Sequence, residues 1–480
     1  MDIKQLYQLY QQHPVITTDS RNCPEGSIFL ALKGESFDGN KFAQQALEKG
    51  CAYAIVDEDI TLTSQLSSST SYHVPRTSPP SRQRGFAIPD HQLIKVDNCL
   101  QTFKDLAREH RRQFDIPVIG ITGTNGKTTT KELVRAVLAE EYNVLATEGN
   151  FNNDVGVPKT LFRLTEDHDI AIIEMGASHP GDIKTLVETA EPTCGLITNV
   201  GRAHLQGFGS FEGVKQTKGE LYDFLRRQQD LGDPDRGFIF INADDPDLTE
   251  MADSRGILMQ FAYGTGSSED IVVRGEVVSC DPFLTFRWWI DDEEEAPQPP
   301  KGEDKRRPST VSTNLIGAYN IYNMLAAIAV GLYFDVDEEQ INHALSHYQP
   351  TNNRSQLTQT AHNTLIVDAY NANPTSMSSA LHSFASLQTP QTKLAILGDM
   401  RELGEASAAE HQRIVDLLDP LGLQNVWLVG EEFGRTNTSF RKFSDVEEVK
   451  KELETHLPEQ QFILLKGSNS MRLFSLVESL

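Results

Sequence analysis

Residues 118–138, VIGITGTNGKTTTKELVRAVL, constrain the fold more than any other stretch. A short apolar run meets a glycine-containing turn and then an amphipathic helical pattern, which is the signature of a buried parallel strand feeding a helix. Gly123 and Gly126 permit the tight turn, and the first helical amides then point at whatever sits above it. An anion suits that position: Gly123, Thr124, Asn125, Gly126, Lys127, Thr128 and Thr129 can cradle phosphate oxygens, with Lys127 adding charge and Thr128 a hydroxyl for magnesium. The strict phosphate-loop spacing is not met, because Ile121 stands where the first glycine belongs and Gly120 is one residue away. GKTTT between a strand and a helix still favours a phosphate loop over a turn without ligand.

At 480 residues the chain exceeds one ordinary core, so two to four domains are expected. Its formal charge of -25 excludes nucleic acid or an anionic membrane as the main partner, since both require a positive face. Anionic substrates would need locally concentrated Lys and Arg. Five widely spaced cysteines without a C-x-x-C pair read as reduced thiols. The first residues lack an apolar signal core, and the longest apolar stretch, about residues 325–334, is too short to span a bilayer. A soluble cytoplasmic protein without membrane insertion, and a monomer, is the expectation.

Three α/β regions follow from the alternation of strand-like and helix-like segments: 1–114, 115–349 and 350–480. In the first, SIFLALKG and CAYAIVDED read as strands around the helical KFAQQALEKG. Asp19, Ser20 and Arg21, with Asp38, Gly39 and Asn40, cluster at strand ends, where ligands bind or where ordinary turns form; spacing does not separate the two. Residues of about 61–89 are rich in Ser, Thr, Pro and Arg and are expected to form an exposed, mobile insertion.

The second region reads as a parallel sheet with helices on both faces. Glu174 closes IAIIE, His204 follows ITNVGRAH, and Asp244 and Asp245 follow FIFIN. A carboxylate at a strand end beside a phosphate loop is what magnesium requires, and His204 is a second candidate ligand in that setting. VVRGEVVS and LTFRWWI read as strands, and the charged, proline-containing residues 291–308 as a solvated loop. Asn320 and Asn323 fall on one helix face, suited either to reading a nucleobase edge or to local hydrogen bonding. The third region places Asp368, Asp399 and Lys466 at strand ends, and Arg354 just before it could contact phosphate.

TGTNGKTTTKE, GNFNNDVGVPKT with EMGASHPGDI, and DAYNANPTSM with LGDMRELG together resemble the Mur ligase family, over most of the chain. The last pair resembles the branch that joins D-alanyl-D-alanine to UDP-N-acetylmuramoyl-tripeptide, and no DNPR-like diaminoacid motif is present. The resemblance implies a three-domain α/β fold: a small domain binding the UDP substrate, a central P-loop-type parallel sheet binding ATP, and a Rossmann-like domain binding the dipeptide. It also implies ATP and Mg2+ as cofactors and an acyl-phosphate route to an amide. It places Thr128, Glu174, His204 and Lys218 at magnesium, Lys218 as a carbamylated lysine, and Lys127, Lys218 and His204 as catalytic. By itself Lys218, in KGELY, reads as an exposed helix lysine. Adenine falls to Asn320 and Asn323, ribose and phosphates to Asp368 and Arg354, the uridine nucleotide to Ser20 and Arg21, and the rest of the substrate to Asn152, Asn153, Asn371 and Asn373. Tyr319, Asn40 and Asn469 depart from the histidine, histidine and arginine usual in the family. A related ligase adding a different amino acid is the alternative; a binding protein without chemistry fits less well with Lys127, Thr128, Glu174, His204 and Lys218 all present.

Overall fold

The computed structural model describes residues 1–34, 36–60, 90–233, 236–291, 308–350 and 356–480. The expected insertion at 61–89, most of the charged segment 291–308, and Arg354 lie outside the described residues. Three sheets form, each with helices packed on it, and the chain divides into two compact units.

The first unit comprises Met1–Asp115 and Asp154–Leu164. Its four strands, Ile16–Thr17, Ile28–Leu30, Tyr53–Val56 and Leu93–Lys95, are all parallel and pair in chain order. Position in the chain put residues 154–164 in the central region, yet they pack here. Phe162 stacks on Phe103 and on His110, with centroids 5.5 and 5.7 Å apart. The buried His110 ring is spent on structure: one nitrogen lies 3.0 Å from the Tyr7 hydroxyl and the other 3.1 Å from the Leu164 carbonyl.

The second unit comprises Ile116–Asn153 and Thr165–Leu480 and holds both larger sheets. The nine-stranded sheet runs, in spatial order, Val144–Ala146, Ile170–Glu174, Val118–Thr122, Cys194–Ile197, Phe238–Asn242, Gln260–Gly264, Ile271–Cys280, Phe283–Ile290 and Ser309–Ile316. It is parallel up to Ile271–Cys280, and the last two strands join antiparallel. The strands from Val144–Ala146 to Phe238–Asn242 form the parallel sheet expected from the sequence, and the antiparallel pair extends its far edge. The strand Ser309–Ile316, which sequence reading left unassigned, closes its edge.

Alternation decides which face each strand residue serves. Ile119 and Ile121 join the core shared with helices Lys127–Leu138 and Ile321–Tyr333. Gly120 points the other way, where a Cβ would lie 3.2 Å from Leu221 of helix Phe211–Gln229. Helix Ile321–Tyr333 is apolar on all sides, as a helix enclosed between a sheet and another helix must be. Gly331 lets it approach closely, since a Cβ there would lie 2.5 Å from Val137.

The six-stranded sheet runs Gln356–Gln359, Thr364–Asp368, Gln461–Lys466, Thr392–Gly398, Val426–Val429 and Arg441–Phe443, with only the first pair antiparallel. Asp368 and Lys466 end adjacent parallel strands in register, which brings their charges together. All five cysteines are free; burial raises the Cys99 and Cys194 thiols to about 12. No helix among the described residues is long and apolar enough to cross a membrane.

Leu325 is fully buried and fills the space opened by Gly275 on strand Ile271–Cys280. Leu325→Ala should lower stability by about 2–5 kcal/mol. Denaturant unfolding followed by fluorescence would show an earlier midpoint, and an unchanged midpoint would contradict this packing.

Candidate active site

The turn between strand Val118–Thr122 and helix Lys127–Leu138 takes its shape from the neighbouring strand Cys194–Ile197. Gly123 has φ of 142° and Gly126 φ of 79°, values that side chains rarely allow. A Cβ on Gly123 would stand 2.0 Å from Thr198 Oγ1. The peptide groups of Asn125 are gripped by the residues that follow the neighbouring strand. Asn199 Oδ1 accepts the Asn125 N–H at 3.0 Å, while Asn199 Nδ2 and Thr198 Oγ1 donate to the Asn125 carbonyl at 3.0 and 2.6 Å. The Thr124 amide donates to the Asn199 carbonyl at 3.0 Å, and the Gly201 amide to Thr124 Oγ1 at 2.9 Å.

The helix that begins here has Gly126 as its N-cap, a residue with no side chain to cap the first amides. Thr128 and Thr129 lie in that first turn. Lys127 folds back over the loop, its Nζ donating to the Gly123 and Thr124 carbonyls at 2.8 and 3.0 Å. These are features of an anion cradle.

Glu174 ends strand Ile170–Glu174, the other neighbour of the loop strand. It is only 1% exposed. Its Oε1 accepts from Thr128 Oγ1 at 3.2 Å and from Asn152 Nδ2 at 2.8 Å, whereas its buried Oε2 has no hydrogen-bond partner among the described residues. An orphaned carboxylate oxygen in such a place costs free energy unless something cationic takes it up. Among the described residues, no three His, Cys, Asp or Glu side chains gather as a metal cage. The donor set fits magnesium, which takes one or two carboxylates and fills its remaining positions with phosphate and water.

His204 and Lys218 both lie against Phe208. The His204 ring packs edge-on to Phe208 with centroids 6.2 Å apart, and Lys218 Nζ is 5.7 Å from the same ring centroid. Lys218 is 2% exposed and forms no hydrogen bond or ion pair among the described residues, contrary to its reading from sequence alone as an exposed lysine. Burial, and then the Lys127 charge, hold its amine well below the usual lysine range. Burial likewise lowers His204; the Glu402 carboxylate opposes that shift, and Lys127 and Lys218 add to it.

Other candidates turn inward. Asn320 donates to the Ile316 carbonyl at 2.8 Å and accepts from Asn323 Nδ2 at 2.8 Å. Asn323 Oδ1 accepts from Thr130 Oγ1 at 3.0 Å and lies 2.7 Å from where a Gly126 Cβ would be. The pair braces the underside of the loop. Asp368 accepts from Lys466 Nζ at 2.7 Å. Asn371 is exposed and accepts from the Ala372 amide at 2.9 Å. Asn373 caps helix Pro374–Ser386 and donates to Asn125 Oδ1 at 2.7 Å, so it reaches the phosphate loop itself. Asn153 follows Asn152 at the end of its segment.

Ser20 and Arg21 belong to the first unit. Arg21 is exposed and paired with Asp19 at 2.9 Å, and its hydrogen bonds hold the Asp19 carboxyl at about 2; the Ser20 carbonyl accepts from Lys49 Nζ at 2.6 Å. Sequence reasoning missed Thr198 and Asn199. Their signal was present, as polar residues directly after an apolar strand.

Three family models match the chain: Mur ligase middle domain over residues 121–331, Mur ligase, glutamate ligase domain over 353–469, and Mur ligase family, catalytic domain over 14–111. The UDP-N-acetylmuramoyl-tripeptide–D-alanyl-D-alanine ligase of Escherichia coli is 33% identical over 473 residues, covering 97% of this chain and 93% of its own. The enzyme of that name from Bacillus subtilis is 30% identical over 477 residues, covering 97% and 92%. The crystal structure of MurF from Acinetobacter baumannii superimposes with a TM-score of 0.80 at 28% identity, covering 100% of this chain and 98% of that one.

Gly126→Ala places a methyl against Asn323 in left-handed backbone, which costs roughly 1–2 kcal/mol for a residue with a Cβ. Binding of a fluorescent ATP analogue should weaken about tenfold or more while far-UV circular dichroism stays as in the parent. Parent-like affinity would contradict the loop's assignment.

Proposed function

The chain belongs to the Mur ligase family, and from that premise we propose that it joins D-alanyl-D-alanine to UDP-N-acetylmuramoyl-tripeptide, converting ATP to ADP and phosphate in peptidoglycan precursor synthesis. The dipeptide and the acceptor rest on the relatives' names and on similarity that spans nearly the whole of both chains. The phosphoryl chemistry rests on one observation above the others: the buried, unpartnered Oε2 of Glu174 beside Thr128 and the phosphate loop.

A carboxylate and an amine do not condense at neutral pH, because the carboxylate is a poor electrophile and hydroxide a poor leaving group. Transfer of the γ-phosphoryl group to the acceptor carboxylate makes an acyl phosphate. The dipeptide amine attacks its carbonyl carbon, loses a proton, and the tetrahedral intermediate collapses to the amide with departure of phosphate. The protein's task is then positioning and charge neutralisation.

In this reading the first-turn amides hold the β- and γ-phosphates, and Lys127 exchanges the Gly123 and Thr124 carbonyls for phosphate oxygens. Thr128 and Glu174 would hold Mg2+, with His204 near the transferred group. Bound magnesium supplies charge neutralisation on the phosphates during transfer. The binding roles of Ser20, Arg21, Asn152, Asn153, Asn371, Asn373, Asp368 and Arg354 are part of the proposal. Asn320 and Asn323, which brace the loop from beneath, would contact adenine.

Lys218 carries the least ordinary role. A lysine kept neutral by burial can attack carbon dioxide: a nitrogen–carbon bond forms, a proton leaves, and the amine becomes an anionic carbamate. Where the neutral amine has no charge to pair with Lys127, the carbamate would be attracted to it and would offer magnesium a second anionic oxygen donor.

Phosphate release from ATP should require both acceptor and D-alanyl-D-alanine, with product mass increased by the dipeptide less one water. Release with a single amino acid in place of the dipeptide would move the chain to another step of the family. Lys127→Ala should lower turnover by about 10^2- to 10^3-fold in a folded protein. Wild-type activity should fall when bicarbonate and carbon dioxide are stripped from the buffer, and Lys218→Ala should be inactive at any bicarbonate concentration; a fully active Lys218→Ala would remove the carbamate from the mechanism.

A further inference from the structure

Two turns meet beside the phosphate loop, and each places a non-glycine residue in left-handed backbone. His204, in the segment after strand Cys194–Ile197, has φ of 50°; Glu402, in the turn after strand Thr392–Gly398 of the six-stranded sheet, has φ of 65°. Backbone of that kind persists where the surroundings over-determine it, and it marks positions where a side chain is being aimed. The two side chains are aimed at each other, with His204 Nδ1 in contact with a Glu402 carboxylate oxygen.

The turns also fit along their backbones. The Gln206 amide donates to the Glu402 carbonyl at 3.4 Å, and a Cβ on Gly404 would lie 3.2 Å from Gln206 Cβ. Two further contacts hold the same segment against the C-terminal part of the chain. The Arg202 amide donates to Thr375 Oγ1 at 3.3 Å, and the Arg202 guanidinium lies 4.0 Å from Glu410. The ion pair itself has little to offer stability, because the Glu402 side chain is 61% exposed.

We propose that Glu402 is a positioning residue for His204, holding the imidazole in one tautomer and one orientation. With Nδ1–H donated to the carboxylate, Nε2 carries the lone pair, on the side of the ring away from Glu402. Imidazoles that serve a metal are held in this way, by a carboxylate on the second nitrogen. The inference rests on the reading of His204 as a group near magnesium and the transferred phosphoryl. It deepens that reading, because Glu402 lies in a turn that follows a strand of the sheet assigned to the dipeptide. The imidazole is set only when that sheet sits against residues 199–206, so phosphoryl transfer is tied to the presence of the part that delivers the amine.

The test uses the full chain as wild type, Glu402→Ala, Glu402→Asp and His204→Ala. Three quantities are compared: the Mn2+ affinity of the ADP complex by electron paramagnetic resonance, the His204 tautomer by long-range proton–nitrogen NMR, and the thermal midpoint. In Glu402→Ala, Mn2+ binding should weaken about tenfold to a hundredfold and the ring should lose its Nδ1–H preference, with the midpoint unchanged. Glu402→Asp should restore part of both. Wild-type Mn2+ affinity and tautomer in Glu402→Ala would overturn the proposal, and so would wild-type Mn2+ affinity in His204→Ala. None of these measurements involves the dipeptide, so the positioning role and the substrate assignment fail separately.

Discussion

The grip of Asn199 and Thr198 on the Asn125 peptide groups is the interaction on which the rest of the site depends. Three hydrogen bonds of 2.6 to 3.0 Å fix both ends of one residue's backbone, and Gly123 turns left-handed with no Cβ to oppose the approach of Thr198. Residues 125 and 199 are far apart in sequence. They meet because strands Val118–Thr122 and Cys194–Ile197 are parallel neighbours in the sheet, with their carboxyl ends level. On the other side the loop strand pairs with Ile170–Glu174, which brings the Glu174 carboxylate level with Thr128. Sheet order therefore decides the chemistry: one neighbour shapes the anion cradle and the other supplies the acid beside it.

From that arrangement the same segment reaches outward. Residues 199–206 grip the phosphate loop at one end and touch Thr375, Glu402 and Glu410 at the other. Asn125 itself takes a direct bond from Asn373. The phosphate loop is thus braced from below by Asn323, from the side by Asn199 and from the C-terminal part by Asn373. A loop so constrained meets its ligand with little left to order, which is the structural meaning of preorganisation.

The features legible in the sequence were those with a local signature. The loop glycines, Lys127 and Thr128 announce themselves within ten residues, and Glu174 is legible because a carboxylate ends an unbroken apolar strand. What escaped depends on pairing at a distance. The strand Ser309–Ile316 lies at an antiparallel edge and follows a charged segment. Residues 154–164 join the first unit through Phe162 and the Leu164 carbonyl, which no periodicity reveals. Lys218 looks like a surface residue until helix Phe211–Gln229 is seen to bury it, and the brace that Asn320 and Asn323 give the loop shows only in their partners.

The chain carries a formal charge of -25, yet its candidate site is built around cations, and two of its groups are electrostatically incomplete. Glu174 presents a buried oxygen with no donor, and Lys218 a buried amine with no acceptor among the described residues and the Lys127 charge nearby. Each deficiency is the complement of what the proposed reaction brings. A divalent cation would satisfy the acid, while carbamylation would turn the amine into an anion attracted to Lys127. Burial without a partner costs each group free energy, and a partner of opposite sign recovers it. Two buried groups of opposite charge preference beside one phosphate loop thus give the proposed metal and carbamate their places, and each would neutralise charge that the other leaves uncompensated.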